Sequence, residues 1–348
     1  MTNIVTIGSA TVDVFVECDE ANIVSVATKN KNSTFMSYPY GSKMDITNFS
    51  SNVGGGGVNT AVNFANLGFN TSAIFKIGDD IYSEGILNNL KNTKVDLSSI
   101  IYDKNLSTGF SIILVSFQGD RTVLAHRGTN AKILKSEIDF NKLKNADFLY
   151  IAPLNGESNK ILPSLINFAK ENNIKTCFNV GTTSLKKGWK YIEKILQDVH
   201  IVVLNKEEAT ICTNTEVRPD TKDEKFSDNI IHPDIITMLN KLKVRDYQVV
   251  VITDGGNGAY AFDGKNYYFC PVFNSKVIST LGAGDAFAST FCAALSRTNK
   301  NVGESLMYAS VNSASVVSKF GATEGLLNFD EIELKLKNTP DYNFVKVE

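Results

Sequence analysis

The sequence predicts an α/β protein with one large domain and a small separate sheet that forms a lid. Short β-branched runs alternate with stretches of helical periodicity over most of the chain, which is typical of an α/β sheet. Two segments, residues 14–50 and 108–127, interrupt this alternation and contain strand-like pieces of their own. The 348 residues are enough for a large core, and we assign residues 1–348 to a single domain.

The elements of the main domain follow from the periodicity of its apolar residues. The predicted strands span residues 4–7, 73–77, 147–151, 175–179, 201–204 and 248–253. The predicted helices span residues 58–67, 160–171, 185–196, 235–243, 283–297, 302–319 and 330–337. Gly68 follows the first helix at the position where a glycine commonly ends a helix.

The two inserted segments are predicted to contribute strand pairs to one sheet. The first contains strand-like pieces at 12–17 and 45–49 around a polar middle rich in Asn and Lys. The second is a predicted hairpin, with strands at 110–117 and 121–126 joined by a turn at 118–120. Because an isolated hairpin is marginally stable in water, we expect the two pairs to form a common sheet. The polar stretch 213–229 is predicted to be a surface excursion.

Composition and charge argue against several functional classes. Lys and Arg number 35 against 37 Asp and Glu, so the formal charge of −2 does not predict a nucleic-acid-binding protein. No apolar stretch approaches about 18 residues, so no membrane span is predicted. The first residues do not resemble a secretory leader, and we expect a cytoplasmic protein. Five scattered cysteines without a CxxC pair, and only three histidines, do not predict a zinc site.

The strongest motif is a small-residue loop that opens the helix predicted at 283–297. The backbone N–H groups of Gly282, Ala283 and Gly284 can converge there without obstruction, and the helix N-terminus favours an anion. Asp285, in the first turn, has two interpretations. It stabilises the helix dipole, or it acts as a general base for a nucleophile that attacks a bound phosphate.

A second glycine-rich run opens the helix predicted at 58–67. Gly54, Gly55, Gly56 and Gly57 form either a flexible loop or a place where the backbone approaches a ligand closely. In the second interpretation, Asn59 supplies its amide to a ligand hydroxyl. Neither the GxGxxG dinucleotide fingerprint after the first strand nor the GxxxxGK[ST] phosphate-binding loop is present.

Asn205 and Glu208 follow the strand predicted at 201–204. Their spacing matches a helix capping box, in which the two side chains satisfy each other's backbone N–H groups. The alternative is that both lie near a Mg²⁺–phosphate cluster, which they contact through water.

Two weaker candidates lie at other predicted strand ends. The loop containing Thr253, Gly255 and Gly258 is either a turn before the next strand or part of the wall of a nucleotide site. Asp13 is predicted to end the first strand, at the edge where α/β sheets bind ligands, and its alternative role is a solvated turn carboxylate.

These motifs occur in the order found in the PfkB/ribokinase-like carbohydrate kinase family, and the chain resembles that family from Gly8 to about Gly325. The matching positions are the first-strand Asp13, the glycine signature at 54–59 with 65–68, the N-x-x-E motif at 205–208 and the C-terminal signature at 279–287. The resemblance implies a three-layer α/β/α core with a small β-sheet lid. It also implies ATP- and Mg²⁺-dependent phosphorylation of a hydroxyl of a sugar or sugar derivative.

The resemblance also implies a role for each matching residue. Asp285 would be the base, and the backbone of Gly282, Ala283 and Gly284 would form the anion hole. The implied substrate-binding residues are Asp13, Gly54, Gly55, Asn59 and Arg127. The implied nucleotide-binding residues are Asn205, Thr253, Gly255, Gly258 and Asn312. Asn205 and Glu208 would organise Mg²⁺. A nucleoside kinase of the adenosine kinase type and a non-catalytic sugar- or nucleotide-binding regulator remain alternatives.

Three positions bear on specificity and activation. Ser279 replaces the Asp that begins the C-terminal family signature, so we expect little activation by K⁺. Gly56 replaces the Lys of the ribokinase GGKG run, which disfavours ribose as the substrate. His126 and Arg127 form a basic pair that is either solvated or faces an acidic or phosphorylated substrate. We also expect the apolar face of the lid to pack on a second subunit, giving a homodimer.

Overall fold

The computed structural model describes residues 2–28, 32–116, 121–219, 229–297 and 301–348. Within them the chain builds a ten-stranded sheet. In spatial order its strands are β18 (Val345–Val347), β17 (Tyr267–Cys270), β16 (Ala259–Phe262), β15 (Val249–Thr253), β14 (Ile201–Asn205), β13 (Lys175–Asn179), β12 (Phe148–Ile151), β1 (Asn3–Ile7), β6 (Asn70–Ile74) and β8 (Val95–Asp96). Neighbouring strands run parallel from β15 to β8 and antiparallel from β15 to β18.

Helices cover both faces of this sheet, which confirms the expected α/β/α layering. The helices are α1 (Gly56–Asn66), α2 (Ile81–Leu90), α3 (Phe140–Leu143), α4 (Leu162–Glu171), α5 (Gly181–Leu185), α6 (Trp189–Leu196), α7 (Lys206–Thr213), α8 (Pro233–Leu242), α9 (Ala283–Arg297), α10 (Val302–Val317) and α11 (Phe329–Lys337). None of the helices in the described ranges combines the length and the apolar character needed to cross a lipid bilayer.

The side chains of the central strands alternate between the two helical layers. In β12, Leu149 and Ile151 pack in one core with residues of α4, α6 and α8. Phe148 and Tyr150 point to the opposite core, which contains residues of α1, α9 and α10. Because both faces are buried, the strands are apolar at nearly every position, and this is the pattern that predicted them.

A second sheet of four strands lies outside this core. Its order is β11 (Arg121–His126), β10 (Gly109–Val115), β2 (Thr11–Glu17) and β5 (Asn48–Gly54), and β10 runs parallel to β2. We call it the lid sheet. The predicted turn at 118–120 and residues 220–228 of the predicted excursion lie outside the described residues. The assignment of residues 1–348 to a single domain stays a prediction.

Two predicted elements of the main domain are each divided in the structure. The strand expected at 73–77 ends with β6, and its remainder is β7 (Lys76–Gly78), which pairs with β9 (Ile101–Asp103) in a separate small sheet. The helix expected at 185–196 is divided into α5 and α6. Gly188 separates them with a φ of +80°, a backbone conformation that a right-handed helix cannot contain.

The first inserted segment differs most from the prediction. The strand expected at 45–49 is β5, which begins at Asn48 and continues to Gly54 because its whole length pairs with β2. The polar middle, to which the sequence assigned no element, contains a hairpin of β3 (Asn22–Ala27) and β4 (Asn32–Ser37). Cross-strand pairing forms these strands although their sequences carry little alternation.

Candidate active site

The candidate site lies where the order in which the chain adds strands to the parallel sheet reverses. From β1 the chain reaches β6 on one side and later returns to β12 on the other. The carboxyl ends of β1 and β12 therefore border a crevice of the kind in which α/β sheets bind ligands. The start of α1 covers this crevice so closely that a Cβ on Gly8 would lie 2.6 Å from the nitrogen of Gly57 and 2.7 Å from Cβ of Ala152.

The glycine run before α1 is an ordered turn rather than a flexible loop. Gly55 has a φ of +98°, and a Cβ on it would lie 2.5 Å from the carbonyl oxygen of Ser9. The Ser9 hydroxyl accepts a hydrogen bond from the N–H of Gly56 at 3.0 Å, and the Ser9 carbonyl accepts one from Gly57 at 3.0 Å. A Cβ on Gly56 would come within 3.3 Å of Oδ1 of Asp285. The run thus approaches the predicted base as closely as glycine allows.

The loop before α9 presents free backbone donors, as an anion site requires. Gly282 has a φ of +78°, and a Cβ on it would lie 2.7 Å from the backbone of Ala322. Within the described ranges, the N–H groups of Gly282 and Gly284 have no hydrogen-bond acceptor, and the N–H of Ala283 has only a long contact of 3.4 Å to Thr280. A Cβ on Gly284 would meet open space. These donors stand at the positive end of a 15-residue helix.

Asp285 projects from the first turn of α9 into the same crevice. Its Oδ2 accepts a hydrogen bond of 2.8 Å from Nδ2 of Asn59. The pKa of the Asp285 carboxyl is raised because burial disfavours its charge. The hydrogen bond from Asn59 lowers that pKa, and the negative charge of Asp13 raises it further. A base with a raised pKa accepts a proton more readily than an exposed aspartate does.

Asp13 reaches the site from the lid sheet, so the prediction that it ends the first strand is wrong: β1 ends at Ile7, and Asp13 lies within β2. It lies on β2 between Ser111 of β10 and Asn52 of β5, with only 5% of its surface exposed. Burial raises the pKa of the Asp13 carboxyl, and hydrogen bonds with Ser111 and Thr11 lower it. A Cβ on Gly54 would collide with Oδ2 of Asp13, so glycine is needed where β5 passes this carboxylate. The two carboxylates, Asp13 and Asp285, interact electrostatically across the crevice.

Asn59 has a different partner from the one the sequence suggests. Its amide was predicted to contact a ligand hydroxyl, but Nδ2 of this amide donates a hydrogen bond to Oδ2 of Asp285. Asn59 is only 5% exposed, and within the described residues its Oδ1 is buried without a hydrogen-bond partner. The pairing joins α1 to α9 over 226 positions of sequence, and no local signal in the sequence indicates it.

The nucleotide-binding assignment of Asn312 is wrong. Asn312 is fully buried in α10, and its Nδ2 donates to Oδ1 of Asn63 at 3.0 Å and to the hydroxyl of Thr290 at 2.8 Å. Its Oδ1 accepts from the N–H of Leu327 at 2.8 Å. The whole amide is therefore used inside the protein, and no part of it can reach a nucleotide.

Asn205 and Thr253 are neighbours at the carboxyl ends of β14 and β15. The predicted capping box forms: Oδ1 of Asn205 accepts from the N–H of Glu208 at 2.8 Å, and Oε2 of Glu208 accepts from the N–H of Asn205 at 3.1 Å. Burial raises the pKa of Glu208, while the bond from Asn205 lowers it. The capping box is thus confirmed, and both residues lie at the carboxyl edge of the sheet.

An ion pair that sequence reasoning missed lies beside these residues. Lys206 Nζ is 2.6 Å from Asp254, so the start of α7 is bonded to the end of β15. The loop that follows is a tight turn in which Gly255 and Gly258 have φ values of +52° and +105°. The turn prediction for this loop is confirmed, and its role in a nucleotide wall stays a prediction.

The lid sheet, the segment before α9 and Phe320 after α10 border an open cavity of about 320 Å³. The residues that line it are Phe15, Glu17, Asp19, Val115, Ser116, Arg121, Ile278, Ser279 and Phe320. Arg121 is therefore the lid arginine that borders this cavity. Arg127 follows β11 and is exposed, and no hydrogen bond or ion pair to its side chain is found within the described ranges. The structure does not bring Arg127 into contact with the other site residues.

The residues present fit a magnesium ion that arrives with a nucleotide rather than a resident metal. Within the part of the chain that the structure describes, no three His, Cys, Asp or Glu side chains are grouped to hold a metal. Mg²⁺ commonly takes one or two protein carboxylates and completes its shell with phosphate oxygens and water. Glu208, a half-buried carboxylate in the first turn of α7, meets that requirement together with Asn205 at the end of β14.

The fold and the site together define an α/β phosphotransferase with a lid. The chain matches the pfkB family carbohydrate kinases over residues 1–328. A ribokinase from Staphylococcus aureus is 26% identical over 281 residues, which cover 80% of this chain and 86% of the ribokinase. A 5-dehydro-2-deoxygluconokinase from Bacillus subtilis is 26% identical over 297 residues, covering 82% of this chain and 86% of that protein.

A further relative in sequence and a solved structure with the same fold match most of this chain. The chain spans half the length of a bifunctional ribokinase/ribose-5-phosphate isomerase A from Fructilactobacillus sanfranciscensis, which is 25% identical over 292 residues, or 82% of this chain. The solved structure of a nucleoside kinase from Methanocaldococcus jannaschii has a TM-score of 0.74 at 18% identity and covers 97% of this chain and 99% of its own. The chain belongs to the pfkB family of carbohydrate kinases, and it is an ATP-dependent phosphotransferase.

Proposed function

We propose that this kinase transfers the γ-phosphoryl group of ATP to a hydroxyl of a sugar or sugar derivative, with Asp285 as the base. The observation that carries the proposal is the position of Asp285. Its Oδ1 lies against the glycine run, and its helix begins beside the N–H groups of Gly282 and Gly284, which have no acceptor among the described residues. A carboxylate and an anion site so placed can hold a hydroxyl and a phosphoryl group side by side.

The proposed reaction needs little covalent chemistry from the protein. Asp285 accepts the proton of the acceptor hydroxyl as the new O–P bond forms and the bond between the β–γ bridging oxygen and the γ-phosphorus breaks, so that ADP leaves. The N–H groups of Gly282, Ala283 and Gly284 stabilise the charge on the transferring phosphoryl oxygens. Positioning and charge stabilisation supply most of the catalysis in such transfers.

Substrate and nucleotide are assigned to opposite sides of Asp285. On the substrate side, Asp13, Gly54 and Gly55 hold the acceptor hydroxyls between the lid sheet and the start of α1. The nucleotide side is formed by the ends of β14 and β15 and comprises Asn205, Glu208, Thr253, Gly255 and Gly258. Bound Mg²⁺ neutralises charge on the phosphates, and Asn205 and Glu208 would hold it. In support, similar kinases have been solved with ADP, in a ribokinase from Cryptococcus neoformans, and with ATP and Mg²⁺, in a candidate ribokinase II from Escherichia coli.

A nucleoside is the second candidate acceptor. The nucleoside kinase from Methanocaldococcus jannaschii shares the fold along nearly the whole chain. A purely regulatory binder is disfavoured because binding alone does not need a buried carboxylate beside an anion site. The cytoplasmic location stays a prediction.

A homodimer formed through the lid is proposed from the exposed apolar residues of its outer face. Phe49 and Leu124 are 59% and 53% exposed, and Val16, Leu114 and Ile112 lie between them on the same face. An apolar patch of this kind on a thin sheet is typical of an interaction surface.

The proposed function is tested by ADP release from ATP with D-ribose, 5-dehydro-2-deoxygluconate and adenosine as acceptors. With the best acceptor, Asp285→Asn is expected to lower turnover by about 10²- to 10⁴-fold, because the base is lost. The stabilisation by a non-hydrolysable ATP analogue in thermal unfolding should remain.

Asp330→Asn is the matched control, since Asp330 is an exposed acid in the first turn of α11. Near-normal turnover of Asp285→Asn would remove this residue from the mechanism.

A further inference from the structure

An ion pair joins the two strand ends that form the proposed nucleotide side. Nζ of Lys206 lies 2.6 Å from both carboxylate oxygens of Asp254. Lys206 directly follows β14 and begins α7, and Asp254 directly follows β15. Because Asn205 and Thr253 are paired in the sheet, the residues that follow them stand side by side at its carboxyl edge. We call Lys206 and Asp254 the edge ion pair.

The stability of the fold does not account for the lysine of this pair. It stands in the first turn of α7, at the positive end of the helix, where an acid is favourable and a cation is not. Glu207 and Glu208 already supply acids to that turn, and Asn205 caps it. The side chains of Lys206 and Asp254 are 33% and 14% exposed, and ion pairs that remain in contact with water contribute little to folding.

The acid of the pair stands where it would oppose the proposed ligand. Asp254 lies between Thr253 and Gly255, two residues of the proposed nucleotide wall. An unpaired carboxylate at this position would repel the phosphate groups of ATP. The ammonium of Lys206 neutralises that charge. An ammonium has three donors, and within the part of the chain that the structure describes Nζ of Lys206 has no acceptor other than Asp254.

We propose that Lys206 binds the phosphate groups of the nucleotide and that Asp254 holds its ammonium in place for them. The proposal rests on the proposed assignment of the nucleotide to the ends of β14 and β15. It adds a positive charge to a wall whose assigned residues carry none. Because Asp254 already restricts the lysine side chain, less conformational freedom is lost when a phosphate binds.

The alternative is that the edge ion pair only ties α7 to the turn after β15. The two roles predict different results when the pair is broken from its two sides. A structural tie is lost equally with Lys206 or with Asp254. A phosphate contact is lost only with Lys206, since Asp254 cannot donate to a phosphate.

The first test is the affinity for ADP, measured by calorimetry in EDTA so that no divalent metal contributes. Lys206→Met keeps most of the aliphatic stem and removes the charge, and it should weaken ADP binding about 10- to 100-fold, because a hydrogen bond between charged groups is lost. Asp254→Asn leaves the ammonium and removes a negative charge, so it should weaken binding less than about threefold or strengthen it.

Two further variants control this comparison. Lys206→Met leaves the charge of Asp254 uncompensated, so the double variant Lys206→Met/Asp254→Asn isolates the lysine, and it should still bind ADP about tenfold more weakly than the native protein. Lys170→Met is the matched control, because Lys170 forms a pair of the same kind with Asp198 at 2.9 Å, shortly before β14 and thus at the opposite end of the same strand. It should leave the affinity unchanged.

Kinetics and salt dependence give independent measurements. With the best acceptor, Lys206→Met should raise KM for ATP about 10- to 100-fold and change KM for the acceptor less than about threefold. Added salt screens a contact between an exposed ammonium and a phosphate. The affinity for ADP should therefore fall more steeply with ionic strength in the native protein than in Lys206→Met.

An equal loss of ADP affinity in Lys206→Met and Asp254→Asn would overturn the proposal and leave the edge ion pair a structural tie. An unchanged affinity in Lys206→Met would overturn it as well. Failure of the native protein to bind ADP, with or without Mg²⁺, would instead overturn the proposed function, so the two failures are distinguishable.

Discussion

The two carboxylates of the candidate site are held by very different parts of the molecule. Asp285 stands on α9, which packs on the main sheet and is joined to α1 and α10 by buried amides and hydroxyls. Asp13 stands on the lid sheet, whose opposite face carries exposed apolar residues such as Phe49 and Leu124. The proposed base thus belongs to the main core, and Asp13 belongs to a sheet that packs on that core with one face only and exposes apolar residues on part of its surface.

The two parts are expected to tolerate substitutions unequally. At the core edge, backbone segments approach one another so closely that the glycines leave no room for a side chain. In the segment between β4 and β5, Gly41 also has a positive φ, but a Cβ on it would meet nothing within 4 Å. Substitutions in the core should therefore affect folding, whereas those around the lid should affect substrate affinity and assembly.

The largest effect is expected from a pair of glycine substitutions. Gly55→Ala places a Cβ 2.5 Å from the carbonyl oxygen of Ser9 at a φ of +98°, and it should lower the free energy of unfolding by about 3 kcal/mol or more. Gly41→Ala, with a φ of +74° and open space, should cost about 1 kcal/mol. Denaturant unfolding of both variants measures this. Equal losses of unfolding free energy in the two variants would show that the backbone around Gly55 accommodates a Cβ as easily as the backbone around Gly41.

Arg127 tests whether the lid contributes charge to substrate recognition. If the preferred acceptor carries a carboxylate or a phosphate that reaches Arg127 when it binds, Arg127→Ala should raise its KM more than about tenfold, because guanidinium binds such groups bidentately. KM for ATP should not change. Arg121→Ala, on the lid arginine that borders the cavity, is the matched comparison. An unchanged KM for an anionic acceptor would leave Arg127 a solvated residue.

The outer face of the lid sheet is expected to hold two subunits together. Replacement of both Phe49 and Leu124 by serine removes apolar area from this face, and light scattering should then show half the native mass. Leu334→Ser, at an exposed position of α11, should leave the mass unchanged. A native protein that is strictly monomeric at micromolar concentration, with and without substrate, would contradict the proposed interface.

The smallest effect is expected from potassium. Ser279 is 8% exposed, and its hydroxyl accepts a hydrogen bond of 3.3 Å from the N–H of Leu281, so it offers a cation no charge. Exchange of K⁺ for tetramethylammonium at constant ionic strength should change turnover less than about threefold. Ser279→Asp should create a K⁺ response. Tenfold activation of the native enzyme would show that neutral oxygens suffice.

Much of the core and of the candidate site was predictable because its signals are local. The helix predicted at 283–297 has those bounds in the structure, since a small-residue loop precedes it and apolar residues recur at helical spacing. The strands 175–179 and 121–126 were also predicted with their observed bounds. The capping box of Asn205 and Glu208 forms from residues three positions apart, so its sequence pattern is sufficient.

The remaining features depend on partners that lie far away in the sequence. β5 and the β3–β4 hairpin have few apolar residues in alternation, and they are strands because another strand satisfies their backbone groups. Asn312 fits a nucleotide site as well as a core network when only the sequence is known. In the structure, the segments packed around Asn312 supply hydrogen-bond partners to both ends of its amide, which places it in the core network.

By itself the sequence determined the alternation of strands and helices, the glycine turns and the acid at the start of α9, because period and turn chemistry act over a few residues. Only the tertiary structure decided what the polar side chains of these elements contact. Asn59 and Asp285 are 226 positions apart, and they meet because both helices pack on the same face of one sheet. Buried amides take whichever partner the packing brings within hydrogen-bond distance, and that partner is not encoded by neighbouring residues.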